Sequence, residues 1–158
     1  MRVVALYSIK GGVGKTATAV NLAYLGAAAG QRTLLWDLDP QGAASFYLRV
    51  RTEVAKPKGL LRGKRPLEDA VKGSDFERLD LLHSEPAYRR TNLLLDEAKI
   101  PRAQLRQLIA PVREAYDLLI LDCPPSLKLV SENVFHAFEA MLVPVMEANL
   151  RALRERAP

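Results

Sequence analysis

The amino-acid sequence predicts an α/β fold. It reads as a three-layer arrangement in which a parallel sheet of about five core strands carries helices on both faces. Three observations predict it. Short apolar runs alternate with helical patterns, and the segments between them are long enough for crossover connections. The most polar, chemically capable residues fall just after the predicted strands, on the edge where ligands of parallel sheets bind.

Arg2–Ser8 is short and mostly apolar, as a buried parallel strand would be. Ala17–Ala29 is alanine-rich, with Val20, Leu22, Ala23 and Leu25 offering an apolar face and Gly30 a C-terminal cap. Arg32–Trp36 is a second strand. Asp37-Leu-Asp-Pro-Gln-Gly42 follows, where Pro40 and Gly42 impose a turn, and then a short helix over Ala43–Val50. Pro57, Gly59, Gly63 and Pro66 break any regular pattern before a helical turn or two at Leu67–Val71. Leu79–Leu82 is the third strand, and Pro86–Pro101 fits no single pattern. Ala103–Ala115 reads as a helix interrupted or bent near Pro111, Tyr116–Leu121 as the fourth strand and Leu129–Ala140 as a helix. Met141–Val145 makes the fifth strand and Leu150–Arg156 a short basic helix. Residues 1–158 thus form one domain, with 51–66 as a basic irregular insertion within it.

Between the first strand and the first helix stands Lys10-Gly-Gly-Val-Gly-Lys-Thr16. A strand that delivers a glycine-rich turn to a helix N-terminus offers unpaired N–H groups and a favourable dipole to an anion. Gly11, Gly12, Val13, Gly14, Lys15, Thr16 and Ala17 are the candidate nucleotide-contact set. Lys15 would reach the terminal phosphates, and the Thr16 hydroxyl would ligate magnesium. The general phosphate-loop pattern wants glycine at position 9, and this chain has Ile9. What fits is a deviant form, in which Lys10 precedes the paired glycines.

Three carboxylates follow strands. Asp122 ends Leu118-Leu-Ile-Leu121, where it would hold magnesium directly or through water, or else cap the turn before Pro124 and Pro125. Asp37 and Asp39 are one residue apart, so in extended backbone both would point the same way. Asp39 is assigned to orienting or deprotonating an attacking water, and Asp37 to the metal's surroundings or to loop position. A turn role alone is the other reading of this pair. Cys123 reads as a small core residue, because no histidine partners it. His83 and His136 read as packing or surface residues, and Tyr24, Trp36 and Phe46 as neighbours of core segments.

Apolar residues make up 49% of the 158, too many for a disordered chain, while no run is long enough to cross a bilayer. One cysteine excludes an internal disulfide, and the N-terminus does not read as a secretion signal, so the expected compartment is the cytoplasm. The net charge of +5 is concentrated. Arg49, Arg51, Lys56, Lys58, Arg62, Lys64 and Arg65 face one acid, Glu53, an excess larger than that of the whole chain. Two readings fit: non-specific contact with duplex DNA phosphates, or a solvated loop between core elements.

Lys10–Thr16, Asp37–Gly42 and Leu121–Ser126 together resemble the ParA/MinD family of deviant phosphate-loop ATPases, especially its chromosome- and plasmid-partitioning ParA (Soj-like) branch. Met141–Pro144 also resembles the apolar strand after that family's second proline-rich loop. The resemblance implies a P-loop NTPase-like fold, ATP and Mg2+ as cofactors, and a nucleotide-dependent homodimer with two nucleotides between subunits. It further implies a ParB-like partner protein, non-specific DNA binding, and a place on the nucleoid. By motif match, Lys10 is the lysine that contacts phosphate across the dimer, Lys15 the phosphate-loop lysine and Thr16 a magnesium ligand. Asp39 matches the switch carboxylate needed for hydrolysis, and Asp122 the second metal-side carboxylate.

Two expectations bear on the end of the chain. The family continues through further strands where this sequence stops, so a non-hydrolysing regulator or interaction module is the alternative function. Leu150–Pro158 offers too small an apolar side for a membrane-anchoring helix, so no membrane partner is expected. A lone Cys123 does not supply the bridging cysteines of iron–sulfur relatives.

Overall fold

The five apolar runs become parallel strands because both faces of each must be covered, and the chain supplies helices for both. The computed structural model describes residues 1–50, 66–83, 104–125, 134 and 136–145. In chain order these give β1 (Arg2–Leu6), α1 (Lys15–Ala28), β2 (Thr33–Asp37), α2 (Ala43–Tyr47), β3 (Val71–Gly73) and β4 (Leu79–Leu82). They continue with α3 (Gln104–Ile109), β5 (Leu118–Asp122) and β6 (Ala140–Leu142). Single 3-10 turns at Glu68–Ala70 and Pro111–Glu114 precede β3 and follow α3.

The six strands form one sheet in the order β3-β4-β2-β5-β1-β6. Every neighbouring pair is parallel except β3 on β4, which is antiparallel. The five parallel strands are those the sequence predicts; the edge strand β3 is an addition. Val71-Lys-Gly73 is too short and too polar to show a two-residue period, and it reads as the tail of a helical turn. The helix expected over Ala103–Ala115 is divided as predicted: α3 stops at Ile109, and Pro111 opens a 3-10 turn. Ala140 belongs to β6 rather than to the preceding helical segment, of which 129–133 and 135 lie outside the described residues. Pro86–Pro101 and Leu150–Arg156 also lie outside them.

Strand alternation divides the core into two layers. Leu6, Leu35, Leu79, Leu81 and Ile120 face α1 and α2, whereas Val3, Ala5, Leu34, Trp36, Leu119 and Leu121 face α3 and the 3-10 turns. The buried row of α1 is Ala19, Ala23 and Ala27, continued at its start by Lys15. That row runs at a spacing of four, on one side of the helix. It differs from the predicted face: Val20 and Leu22 lie at its margin and Leu25 is 59% exposed. Alanines let the helix axis lie close to the sheet, so the start of α1 is held near the strand ends.

The other end of α1 is closed by a Schellman motif. Gly30 N–H donates to Ala27 O at 2.9 Å and Gln31 N–H to Gly26 O at 3.1 Å. Gly30 has φ +87, a backbone conformation that side chains resist. Gly30→Ala is therefore expected to lower stability by about 1 kcal/mol, read as a lower urea midpoint at unchanged m-value. An unchanged midpoint would show that the cap is not under that constraint.

Candidate functional site

Three strand ends build the site. β5 lies between β2 and β1, with Asp122 in register with Asp37 on one side and Leu6 on the other. The ladder runs on past the strands: Leu38 N–H donates to Asp122 O at 3.0 Å, and Cys123 N–H to Leu6 O at 3.2 Å. Neighbouring strands lie about 4.8 Å apart, so Asp122 is one strand from the glycine-rich loop and Asp37 is two. By period two, Asp37 follows Leu35 and Asp122 follows Ile120 onto the α1 side of the sheet. The loop leads into that same helix.

Residues 9–14 form the bends and turns that separate β1 from α1. Gly14 is the N-cap of α1 in left-handed conformation (φ +86), and no atom lies within 4 Å of where a Cβ would stand on Gly11, Gly12 or Gly14. The three glycines are thus exposed with open space beside them, which leaves the loop backbone accessible to an anion. Lys15 is buried, and its Nζ donates to the Lys10 carbonyl at 3.3 Å across the base of the loop. Lys10 and Ala17 are exposed, and Val13 and Thr16 half-buried. Ser8, which the sequence did not single out, accepts from Lys10 N–H at 3.4 Å.

The carboxylates are not equivalent. Asp37 is fully buried, and both its oxygens are engaged: Oδ1 by Asp39 N–H, Oδ2 by the N–H and hydroxyl of Ser45, each at 3.2 Å. Asp39 lies on a bend beyond the strand and is half-buried, so the two acids do not continue one extended face. Its Oδ1 accepts from Gln41 N–H at 2.9 Å, and its carbonyl from Gly42 N–H at 2.9 Å, which closes the predicted turn. Asp122 is fully buried, and neither carboxylate oxygen has a hydrogen-bond partner among the described residues. The Thr16 hydroxyl stands close enough to favour the Asp122 anion, though not in ordinary hydrogen-bond geometry.

Burial is the chief cause that raises both buried acids, Asp37 to about 6 and Asp122 to about 7. Ser45 and the Asp39 amide oppose the rise at Asp37; Thr16 and Lys15 oppose it at Asp122, where the Asp37 and Asp39 charges add to it. A buried carboxylate with no donor calls for a cation. Thr16 and Asp122 supply two oxygen donors beside an anion cradle, which suits a magnesium ion that takes its remaining ligands from phosphates and water. Among the described residues no cluster of three or more acidic, histidine or cysteine side chains could cage a metal by itself. The residues present therefore fit magnesium held together with a polyphosphate.

The remaining candidates have plain positions. Cys123 is buried, its Sγ 3.7 Å from Leu121 O, and burial pushes its thiol pKa far up, as suits a packing residue. Trp36 is buried in the core, and Tyr24 and Phe46 are exposed, Phe46 to 84%. His136 is exposed and His83 half-buried. Arg49 is exposed at the end of α2, with φ +54. Arg51, Lys56, Lys58, Arg62, Lys64 and Arg65 lie outside the described residues. An open cleft of about 430 Å³ between Tyr24, Phe76 and Arg78 shares no residue with the strand-end site. Sequence reasoning missed Ser45: its bond to Asp37 joins residues eight apart across a turn, and no motif spacing announces it.

A family model described as an AAA domain matches residues 1–154. Among curated proteins, the chain is 43% identical over 145 residues to the chromosome-partitioning ATPase Soj of Thermus thermophilus, covering 92% of this chain and 55% of that protein. It is 34% identical over 146 residues to the chromosome partitioning protein ParA of Myxococcus xanthus, covering 91% and 52%. The chain spans about half the length of the curated relatives it matches. Among solved structures, apo McdA of Cyanothece superposes with a TM-score of 0.84 at 25% identity, over 98% of this chain and 64% of that one. Cobyrinic acid a,c-diamide synthase of Mycobacterium smegmatis with bound ADP and magnesium gives 0.82 at 28% identity, over 98% and 66%.

The raised carboxylates carry a consequence for stability. Both protonate more readily folded than unfolded, where 3.8 is the ordinary value, so their contribution is full below pH about 4 and lost as pH rises through about 6 to 7. Asp117 works in the opposite direction, since its hydrogen bonds from Arg32 hold it below the usual range. Comparison with Asp122→Asn cancels that background. In chelator at pH about 7.5, Asp122→Asn is expected to be more stable than the parent by on the order of 1–3 kcal/mol, a gap that closes toward pH about 4. Thermal unfolding across that range checks it; parallel curves would remove the buried charge from the account.

Proposed function

The chain belongs to the AAA domain family, among the ParA- and Soj-like partitioning ATPases, and on that premise we propose that it is a nucleotide-switched ATPase. It binds ATP with Mg2+ at the strand-end site, hydrolyses it to ADP and phosphate, and associates with a second copy of itself when ATP is bound. The carrying observation is the buried Asp122 carboxylate, without a hydrogen-bond partner among the described residues and one strand from the glycine-rich loop.

Each residue then has a task. The N–H groups of Gly11–Thr16 take up phosphate oxygens, and Lys15, already folded across the loop base, balances their charge. Thr16 and Asp122 would hold magnesium, which when bound neutralises charge on the β- and γ-phosphate oxygens. Asp37 acts one strand further out, with both its oxygens committed to protein donors. Asp39, at the rim, orients the attacking water and draws off its proton. The water oxygen bonds to the γ phosphorus, the bond to the bridging oxygen breaks, and ADP leaves. Ser8, Asp37 and Ser45 hold backbone around this set through their hydrogen bonds.

Lys10 is exposed at the loop mouth, where it would reach a phosphate held by a partner subunit. A second lysine brought to that phosphate binds the ATP state more tightly than the ADP state, so hydrolysis releases the pair. The basic stretch from Arg49 to Arg65 supplies charge for non-specific duplex DNA, and a ParB-like protein is the natural class of partner. Such a switch works in the cytoplasm on the nucleoid. Among the described residues no helix is long and apolar enough to cross a membrane.

Two variants test the assignment. Asp39→Ala is expected to keep nucleotide affinity within about threefold while single-turnover hydrolysis falls about a hundredfold or more. Unchanged hydrolysis would remove Asp39 from the mechanism, and a parent that binds ATP without turning it over would favour a non-hydrolysing regulator. Lys10→Ala is expected to retain ATP binding but lose ATP-dependent dimerisation, read by light scattering with ADP, ATP and a non-hydrolysable analogue. Equal association in both proteins would contradict its role across the interface.

A further inference from the structure

We propose that Ser45 is a positioning residue for hydrolysis, one that holds Asp39 in place through Asp37. This rests on the reading of Asp39 given above. Asp37 is anchored in β2 in register with Asp122, so its backbone is a fixed point of the sheet. One oxygen takes Asp39 N–H, and the other takes both the N–H and the hydroxyl of Ser45. The two ends of the segment from 39 to 45 are thereby tied to a single buried group. Between them the turn closes on Asp39 itself, through Gly42 N–H to its carbonyl and Gln41 N–H to its carboxylate. Ser45 is itself buried, inside the five-residue helix α2.

The hydroxyl has a specific consequence. The Ser45 N–H is present whatever the side chain, so the hydroxyl supplies the second donor to Asp37 Oδ2. Without it, that oxygen keeps one donor in a buried site, where a missing partner is costly. The carboxylate can then rotate, and Asp39, tied to the other oxygen, moves with it. Nucleotide affinity, which belongs to the loop before α1, stays as it was.

Ser45→Ala, Ser45→Cys (similar volume, weaker donor) and Ser45→Thr (hydroxyl kept) separate positioning from packing. Ser45→Ala is expected to lower kcat about tenfold with KM within about twofold. In the nucleotide-free chain, amide exchange at Asp39 should quicken by about tenfold. Ser45→Thr should restore both readouts and Ser45→Cys should fall between. A KM rise at constant kcat, unchanged exchange, or Thr behaving like Ala would each overturn the proposal. If Ser45→Ala does not fold, the order of the Cys and Thr variants decides. If the parent itself fails to hydrolyse ATP, the ATPase reading fails, while exchange still decides whether Ser45 secures the segment.

Discussion

The pairing of β2 with β5 is the constraint on which the rest depends. Because the two strands are parallel and in register, Asp37 and Asp122 end up side by side on the α1 face, both fully buried. Two carboxylates in one dry layer repel each other and lose hydration, so neither belongs there on grounds of stability. The fold answers at Asp37 with three donors. At Asp122 it offers none of ordinary geometry among the described residues, and relies on Lys15 and Thr16 nearby. That asymmetry separates the two: one acid is satisfied by its own chain, and the other is left without a hydrogen-bond partner among the described residues.

Helix α1 makes the asymmetry usable. Its buried row of Ala19, Ala23 and Ala27 brings the axis close to the strands, and Lys15 at the head of that row is drawn under the loop. A larger side chain in the row would push the helix start, and with it the glycine-rich loop, away from the strand ends. On the same face, α2 receives the tether from Asp37 and presents Phe46 and Tyr47 outward. Asp122, the glycine-rich loop and the exposed helix are thus linked through neighbouring groups on three strands.

The parallel core and the site edge were legible in the sequence because each rests on a local signal. β4 falls on Leu79–Leu82 as read, β1, β2 and β5 within one or two residues at their ends, and Pro111 divides its helix. The glycine loop and the acids after strands declare themselves by composition and place. The roles assigned to Lys10, Lys15, Thr16, Asp39 and Asp122 go beyond position and rest on the proposed chemistry. What was not legible depends on contacts between distant or short segments. β3 is three residues of antiparallel edge with no room for a period. The buried side of α1 is chosen by how alanines meet the sheet, not by where its larger apolar residues stand. Asp37 and Asp39 part company because the chain bends at Asp39, and Ser45 matters only once that bend has brought it back to Asp37.

The most direct measurement is calorimetric titration of ADP into the chain, with magnesium and with chelator, in two buffers of different ionisation enthalpy at pH about 6.5. Occupation of a cation site at Asp122, with its raised pKa, requires the proton to leave. The account predicts that magnesium tightens ADP binding about tenfold or more and that binding releases protons to the buffer. Binding that is indifferent to magnesium, or that exchanges no proton, would contradict it.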